Sequence, residues 1–192
     1  MVIIFLLASC VLPYVHKVKL TNDDLKWINH YKVQERLYYI SNQNDTDTLI
    51  VKDVKVWNPK NTFPFDPEGH NWIEVGHEYD GVADVTMDLL HSGDTFLVHF
   101  WIKRDDTAQP LLNSCNFCEW SWLSTRIQEK TVTILSRNFK GCISVNVSQM
   151  ERNEGDQPVI GLRQVIWNKE VGLLQYSLKN GISYTQRKII HE

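Results

Sequence analysis

Histidine and carboxylate side chains are concentrated between residues 70 and 99 of this 192-residue chain. Imidazole and carboxylate groups bind metal ions and carry out general acid-base catalysis. The spacing lacks the His-Glu-x-x-His arrangement of helical zinc sites. Two interpretations therefore stay open. One is a set of exposed strand and loop residues. The other is a metal or hydrolytic site formed by His70, His77, Glu78 and His99.

A Cys-x-x-Cys motif, Cys115-Asn116-Phe117-Cys118, offers a second kind of chemistry. Redox catalysis would need the pair at a helix N-terminus in a βαβ unit, and a zinc knuckle would need two more ligands at suitable spacing. In an exported protein a disulfide is the simpler expectation. Joining Cys142 to Cys115 or Cys118 would close a loop of about 25 residues and stabilise the fold by about 3 kcal/mol. We favour it over a Cys115 to Cys118 bridge.

Aromatic residues are abundant, with 7 Trp, 7 Tyr and 7 Phe. Most should fill a core between β-faces, and the tryptophans on predicted strands should line its interior: Trp101, Trp120, Trp122 and Trp167. A long, proline-containing loop, residues 58–71, is a candidate binding loop. It could be a glycan-stacking platform, a flap over an apolar cavity, or a loop held by its own aromatics. The candidate ligand-binding residues are Trp57, Phe63, Phe65, Trp72 and Trp101.

The composition is that of a globular domain, with 43% hydrophobic and 22% charged residues and a formal net charge of -3. This balance argues against a nucleic-acid partner, and we expect no cofactor. The longest apolar run, Val2 to Ala8, is far shorter than the roughly 20 residues of a membrane-spanning helix.

Short runs of β-branched and aromatic residues, separated by Asn, Asp, Gly and Pro, predict a β-rich domain. One short helix, capped by Thr21 or Asn22, precedes the strands. We predict strands at 36–40, 48–57, 72–75, 82–90, 95–103, 119–126, 130–137, 142–148, 159–167, 173–178 and 182–188.

Three tight turns connect these strands. Asn180-Gly181 predicts a type I′ turn, and Ser92-Gly93-Asp94 and Phe139-Lys140-Gly141 predict two more hairpins. Short connections make neighbouring strands antiparallel. The fold class is therefore mainly β: an antiparallel meander of about ten strands that forms a half-barrel, barrel or sandwich, with one short N-terminal helix.

The N-terminus reads as a processing signal. Residues 1–9 are apolar and end in two small residues, as the tail of a signal peptide does. Leu7-Ala8-Ser9-Cys10 resembles the lipobox of bacterial lipoproteins, which implies cleavage before Cys10 and lipidation of its sulfur. Residues 10–21 would then be the lipidated cysteine and tether, and 22–192 a single β-rich domain. The alternative is a buried first strand, Val2 to Ala8, with Cys10 in the core.

Both ends of the chain resemble uncharacterised Bacteroidetes-type envelope lipoproteins. The opening has Asp24-Leu25-Lys26-Trp27, Tyr31 and Asp47-Thr48-Leu49, and the close has Val171-Gly172-Leu173-Leu174-Gln175-Tyr176 followed by Asn180-Gly181. The resemblance covers about a third of the chain. It implies a β-rich fold and a location at the outer membrane, facing the periplasm, and it supplies no catalytic residue.

Two functions follow as expectations. The first is a noncatalytic binding or interaction module, attached to the membrane by its lipid anchor, with an apolar ligand or an envelope protein as partner. The second is a metal-dependent or hydrolytic envelope enzyme that uses the polar stretch from His70 to His99. We favour the first, because no catalytic set is recognisable in the sequence.

Overall fold

The structure, a computed structural model, describes residues 14–58, 76–152 and 160–188. The strands in chain order are β1 (Tyr14–Lys17), β2 (Arg36–Ser41), β3 (Thr46–Trp57), β4 (Gly76–Tyr79), β5 (Gly81–His91), β6 (Asp94–Arg104), β7 (Leu112–Phe117), β8 (Trp120–Arg126), β9 (Lys130–Ile134), β10 (Arg137–Asn146), β11 (Glu151–Arg152), β12 (Leu162–Asn168), β13 (Gly172–Leu178) and β14 (Ser183–Gln186).

Twelve of these strands form one antiparallel sheet, in the order β11-β8-β7-β6-β5-β3-β2-β14-β13-β12-β10-β9. The sheet curls into a half-barrel, so the predicted fold class is confirmed, with slightly more strands than expected. Phe100 of β6 stacks on Trp167 of β12, with ring centroids 4.4 Å apart. Five strands lie between β6 and β12 in the sheet order, so this contact joins opposite walls.

Alternation along the strands determines which side chains face the interior. On β6, Val98, Phe100 and Ile102 are fully buried, whereas His99 and Trp101 between them are only partly buried. A two-residue period is what a strand requires when only one of its faces is covered. Trp122 and Trp167 are buried as predicted, but Trp101 points to the outer face, contrary to the prediction that it lines the interior.

Of the predicted turns, only Ser92-Gly93 has the expected geometry, with positive φ at both residues. At Asn180-Gly181 only Gly181 has a positive φ. The amide of Gly181 donates to the Leu178 carbonyl, so a type I turn followed by a left-handed glycine replaces the predicted type I′ turn.

The predicted turn at Phe139-Lys140-Gly141 is wrong. β10 runs through these residues, and its register with β9 shifts between Phe139 and Cys142, as at a β-bulge. The chain reverses instead at Leu135-Ser136, where both residues have positive φ (49° and 65°). A turn with two positive φ values favours Gly, Asn and Asp, and neither Leu135 nor Ser136 is one of these, so local composition did not indicate this reversal.

β7 was not predicted, because Asn113, Ser114 and Asn116 make its sequence resemble a loop. Pairing with β6 and β8 on its two sides overrides that local preference. The strand predicted at residues 72–75 lies outside the described residues, and β4 begins directly after it.

A 3₁₀ turn, Asp24–Trp27, marks the start of a segment that packs into the half-barrel, and we call residues 24–31 the plug. Thr21 caps the turn as predicted, since its Oγ1 accepts from the Asp24 amide and the Asp24 carboxylate accepts from the Thr21 amide. Trp27, Ile28 and Tyr31 are buried in the main core. Both Asp24 oxygens also accept hydrogen bonds from Arg104, at 2.7 and 2.8 Å.

The plug and the wall meet at Gly172, whose φ is +88°. A Cβ there would clash with the Tyr31 hydroxyl, so only glycine permits this approach. The next residue, Leu173, donates its amide to the Tyr31 hydroxyl and accepts from the Tyr39 hydroxyl. β12 pairs with Leu173 on one side, and β14 pairs only with residues 175–177, so the two hydroxyls satisfy the buried Leu173 backbone groups on the side that β14 does not reach.

Part of the segment expected to be the tether, residues 10–21, is folded. Residues 14–17 form β1, which pairs in parallel with β4. Val18 and Leu20 are buried, since their apolar side chains pack on the domain. Cys10 lies outside the described residues, as do the alternative strand at Val2 to Ala8 and the signal segment. No helix among the described residues is long and apolar enough to cross a bilayer.

The contact between opposite walls gives a direct test of the fold. Phe100→Ala should lower the free energy of unfolding by about 3–5 kcal/mol, because it removes a fully buried ring from the stack with Trp167. The matched control is Leu97→Ala on the same strand, where the side chain is 53% exposed and the loss should stay near 0.5 kcal/mol. Urea denaturation measures both, and equal losses would contradict the half-barrel core.

Candidate functional site

The open side of the half-barrel is a slot between β8 and β10. β8 continues through residues 127–129 into β9, which pairs with β10 as far as the Cys142↔Lys130 pair. β10 continues through a second 3₁₀ turn, Val147–Gln149, into β11, which pairs with β8 at Ser121 and Trp120. The chain therefore crosses the open side at both ends and leaves a slot of about 600 Å³ between the crossings.

Neutral polar side chains dominate the lining of the slot. They are Asn113, Thr125, Gln128, Ser144, Asn146 and Gln149. Three charged residues, Arg126, Glu129 and Lys130, add both signs of charge, and Trp122, Ile143 and Val145 contribute apolar surface. Amides and hydroxyls can donate and accept, so this surface can pair with a polar ligand in many registers.

The part of β10 that borders the slot, Ile143–Asn146, pairs with β12 on one side and with no described strand on the other. On this second side, side chains hydrogen-bond to the β10 backbone where a neighbouring strand would otherwise do so. The Lys130 ammonium donates to the Ser144 carbonyl at 3.4 Å, and the Asn146 amide donates to Gln149 Oε1 at 3.0 Å. Both side chains are exposed. The Gln149 bond also belongs to the capping box of the 3₁₀ turn Val147–Gln149, so a competing backbone would displace Lys130 at a lower cost than Gln149.

The β8 wall of the slot is held by buried hydrogen bonds. Trp122 Nε1 donates to Asn113 Oδ1 at 2.9 Å, and the Asn113 amide donates to the Thr125 carbonyl at 2.9 Å. At the rim, Arg126 makes two hydrogen bonds to Asp105. This wall is therefore fixed before any ligand binds, which lowers the entropic cost of binding.

The polar stretch from residue 70 to 99 is only partly visible. His99 Nε2 lies 3.4 Å from Asp84 Oδ1 on the outer face. His70 lies outside the described residues, and β4 contains His77 and Glu78, whose side chains are not described. Within the described ranges, no group of three His, Cys, Asp or Glu residues is arranged to hold a metal ion.

Among the candidate ligand-binding aromatics, Trp57 ends β3 and is 46% exposed, with its ring 6.1 Å from that of Tyr79. Trp101 lies on the outer face of β6, with β5 between β6 and β3, and among the described residues no ring contact joins Trp101 to Trp57. Phe63, Phe65 and Trp72 lie outside the described residues. The described part of the chain therefore does not bring the candidate aromatics together.

Cys115, Cys118 and Cys142 are free thiols in the structure. Cys115 belongs to the main core, whereas Cys142 lies in a separate small cluster with Ile134, Ile166 and Leu174, so the favoured pairing does not form. Burial raises the pKa of all three thiols. The Cys-x-x-Cys motif spans the end of β7 and a tight turn, not a helix N-terminus, and lacks the setting that activates a thiol.

Sequence reasoning missed a buried cluster around Asp47, which is 3% exposed. Its Oδ2 accepts hydrogen bonds from the Tyr176 hydroxyl and from His91 Nδ1, the latter at 2.7 Å. Burial raises the pKa of Tyr176 far above its usual value, and the Asp47 charge acts in the same direction. The partners are up to 129 positions apart, so no local motif could reveal them. The cluster ties β3, β5 and β13 together.

A second surface feature, a groove of about 360 Å³, lies where β2 and the end of β14 meet. Three cationic side chains line it: Arg36, Arg187 and Lys188. In the sequence these cations are far apart, at residues 36 and 187–188, so only the antiparallel pairing of β2 and β14 unites them.

The chain matches no protein-family model, no curated protein and no solved structure. Its function must therefore be argued from the geometry of its own residues. Among the described residues, the slot and the basic groove are two surface features that can accept a ligand.

His30, in the plug, has a pKa that its surroundings shift strongly. Burial lowers its pKa from 6.5 to about 4, against the opposing effect of the hydrogen bond that Nδ1 makes to the Lys26 carbonyl. Lys188 also disfavours the charged form. Its Nε2 is buried with no hydrogen-bond partner among the described residues, so the neutral ring with the proton on Nδ1 fits the site.

His30 should make the fold sensitive to mild acid. Below pH 6.5 His30 binds a proton in the unfolded chain, whereas in the folded protein it stays neutral down to about pH 4. The free energy of unfolding therefore falls as the pH falls from 6.5 to 4. Between pH 7 and pH 5 the loss should be about 2 kcal/mol. Denaturant titrations at several pH values measure it, with His30→Gln as the control. Identical pH profiles for the two proteins would rule out this role.

Proposed function

We propose that this protein is a noncatalytic binding module of the bacterial cell envelope. In this proposal Cys10 is lipidated and attaches the chain to the outer membrane, and the domain faces the periplasm. The slot between β8 and β10 binds an extended polypeptide segment of an envelope partner. The observation that carries the proposal is the β10 edge at Ser144 and Asn146, where exposed side chains, in place of a neighbouring strand, bond the Ser144 carbonyl and the Asn146 amide.

A peptide fits this edge better than other polar ligands do. Strand edges are recognised by a backbone that offers alternating donors and acceptors along an extended line, which is β-augmentation. The free edge at Ile143–Asn146 covers four residues, or about 13 Å of strand. The slot therefore suits a segment of about four residues, with neutral polar side chains opposite its amide and hydroxyl lining.

We assign the ligand to the slot and not to the interior because the interior is occupied. Phe100, Trp167 and Phe117 are fully buried, and Trp27 and Ile28 of the plug pack among the same core residues. An apolar ligand inside the half-barrel would have to displace these side chains. The loss of a buried aromatic contact costs about 3–5 kcal/mol, which would oppose such binding.

The anchor is supported by Leu7-Ala8-Ser9-Cys10, which resembles a lipobox. Because β1 begins at Tyr14, only residues 11–13 separate the cysteine from the folded domain. Such a link spans at most about 14 Å. A lipidated Cys10 would hold the domain close to the membrane surface.

Cys10→Ser should release the protein from the membrane fraction, because it removes the sulfur that carries the lipid. Wild-type protein should remain with the membranes and carry the added mass of a diacylglyceryl group. Cell fractionation followed by mass spectrometry of the intact protein measures both properties. Cys118→Ser is the control and should behave like wild type. A Cys10→Ser protein that stays in the membrane at unchanged mass would refute lipidation.

The slot can be tested with a phage-displayed library of random heptapeptides. Peptides selected on the wild-type protein should bind Thr125→Trp at least about tenfold more weakly, because the indole fills the slot. Thr95→Trp places the same side chain at an exposed position of β6, outside the slot, and should leave binding unchanged. Failure to select peptides, or equal binding to both variants, would refute a peptide-binding slot.

A further inference from the structure

The slot between β8 and β10 is closed at both ends by the chain itself. Residues 127–129 cross it where β8 leads into β9, and the 3₁₀ turn Val147–Gln149 crosses it where β10 leads into β11. The free edge of β10, Ile143–Asn146, lies between these crossings. A segment from the middle of a polypeptide would have to bend away from this edge at both crossings, whereas a chain terminus would have to do so at one. The shape of the slot therefore favours a chain end.

The charges that line the slot determine which chain end it suits. Two of them are already paired, because Arg126 makes two hydrogen bonds to Asp105 and Glu129 Oε1 accepts from Lys169 Nζ at 3.0 Å. The third, Lys130, forms no salt bridge with a carboxylate among the described residues. The charge in the slot that has no described counter-charge is therefore positive. It complements the carboxylate of a C-terminus and repels the ammonium of an N-terminus.

Lys130 also makes the hydrogen bond of the edge that exchanges most readily. Its exposed ammonium donates to the Ser144 carbonyl at 3.4 Å, which is longer than the typical range of about 2.7–3.2 Å. A peptide amide that pairs with Ser144 would replace Lys130 there and leave the ammonium beside the bound peptide. A carboxylate at that point would give the ammonium a charge-assisted hydrogen bond in exchange for a long bond to a neutral carbonyl.

The direction of β9 sets the orientation in which a carboxylate reaches Lys130. The Ser144 carbonyl and the Asn146 amide both face the slot, as alternate residues of an antiparallel edge do. β9 begins at Lys130 and runs antiparallel to β10. A peptide that pairs with β10 in the same antiparallel sense runs in the direction of β9, so its C-terminal residue comes next to Lys130. A parallel peptide would bring its N-terminal ammonium there and be repelled.

From this geometry we propose that the slot recognises the free C-terminus of its partner polypeptide, an assignment that rests on the peptide-binding function proposed for the slot. The last residue of the partner lies opposite Ser144 and donates its amide to the Ser144 carbonyl. Its carboxylate pairs with the Lys130 ammonium. The preceding residues run along β10 past Asn146, and the rest of the partner leaves the slot at the crossing formed by Val147–Gln149.

The test selects random heptapeptides in two display formats, one with a free C-terminus and one with a free N-terminus, on the full chain with Cys10→Ser. Peptides from the first format are then synthesised with an acetylated N-terminus and either a carboxylate or an amide at the C-terminus. Calorimetry should show that the carboxylate form binds at least about tenfold more tightly. Two glycines added after the last residue should weaken binding to a similar extent, because residues 127–129 close that end of the slot.

A pair of lysine variants assigns the carboxylate contact. Lys130→Gln removes the ammonium from the slot and should reduce the preference for the carboxylate form to less than about twofold, while the amidated peptide binds as before. Lys140→Gln is the matched control, because it removes the same charge at an exposed position of β10 outside the slot. This control should keep the full preference for the carboxylate form.

The outcomes separate C-terminal recognition from the function on which it rests. If Thr125→Trp blocks the selected peptides but their carboxylate and amide forms bind equally, the slot binds peptides and C-terminal recognition is overturned. It is also overturned if Lys130→Gln and Lys140→Gln lose the preference to the same extent. If neither display format yields a peptide, the peptide-binding function itself fails, and C-terminal recognition fails with it.

Discussion

The contact of aromatic side chains from opposite walls is the constraint on which the rest of this structure depends. A curled sheet buries its inner face only if side chains from distant strands meet across the interior. Phe100 and Trp167 stack at 4.4 Å, and Phe117 lies 5.4 Å from Tyr176. These contacts set how tightly the sheet curls. They also leave the interior full, which is why the proposed ligand is placed at the surface.

The curled sheet leaves the core open at the end of the half-barrel, so another segment must cover the core there. The plug supplies Trp27, Ile28 and Tyr31, and the salt bridge from Asp24 to Arg104 fixes its position against β6. A buried ion pair of this kind has a high desolvation cost, which two short hydrogen bonds and the Thr21 amide offset. Asp24 also contributes to the cap of the 3₁₀ turn, so one side chain joins local and tertiary structure.

On strands that are paired on one side only, the backbone groups of the other side are hydrogen-bonded in two ways. At Leu173 both groups are bonded to the hydroxyls of Tyr31 and Tyr39, which are buried and cannot be displaced without opening the core. At Ser144 and Asn146 the partners are exposed side chains. The first arrangement is structural, and the second leaves an edge that can exchange partners. This difference is the physical basis for proposing a ligand at the slot.

The sequence by itself determined the fold class, most strand positions, the cap at Thr21 and the turn at Ser92-Gly93, because these depend on residues close together in the chain. The two-residue alternation of apolar and polar residues, as along β6, directly predicts which segments are strands. The turn at Leu135-Ser136 and strand β7 escaped prediction, since pairing with neighbouring strands overrides their local preferences. Only the tertiary structure joined Arg36 to Arg187, tied Asp47 to Tyr176 and opened the slot. Each depends on strands far apart in sequence, whose arrangement is decided by burial of the whole sheet.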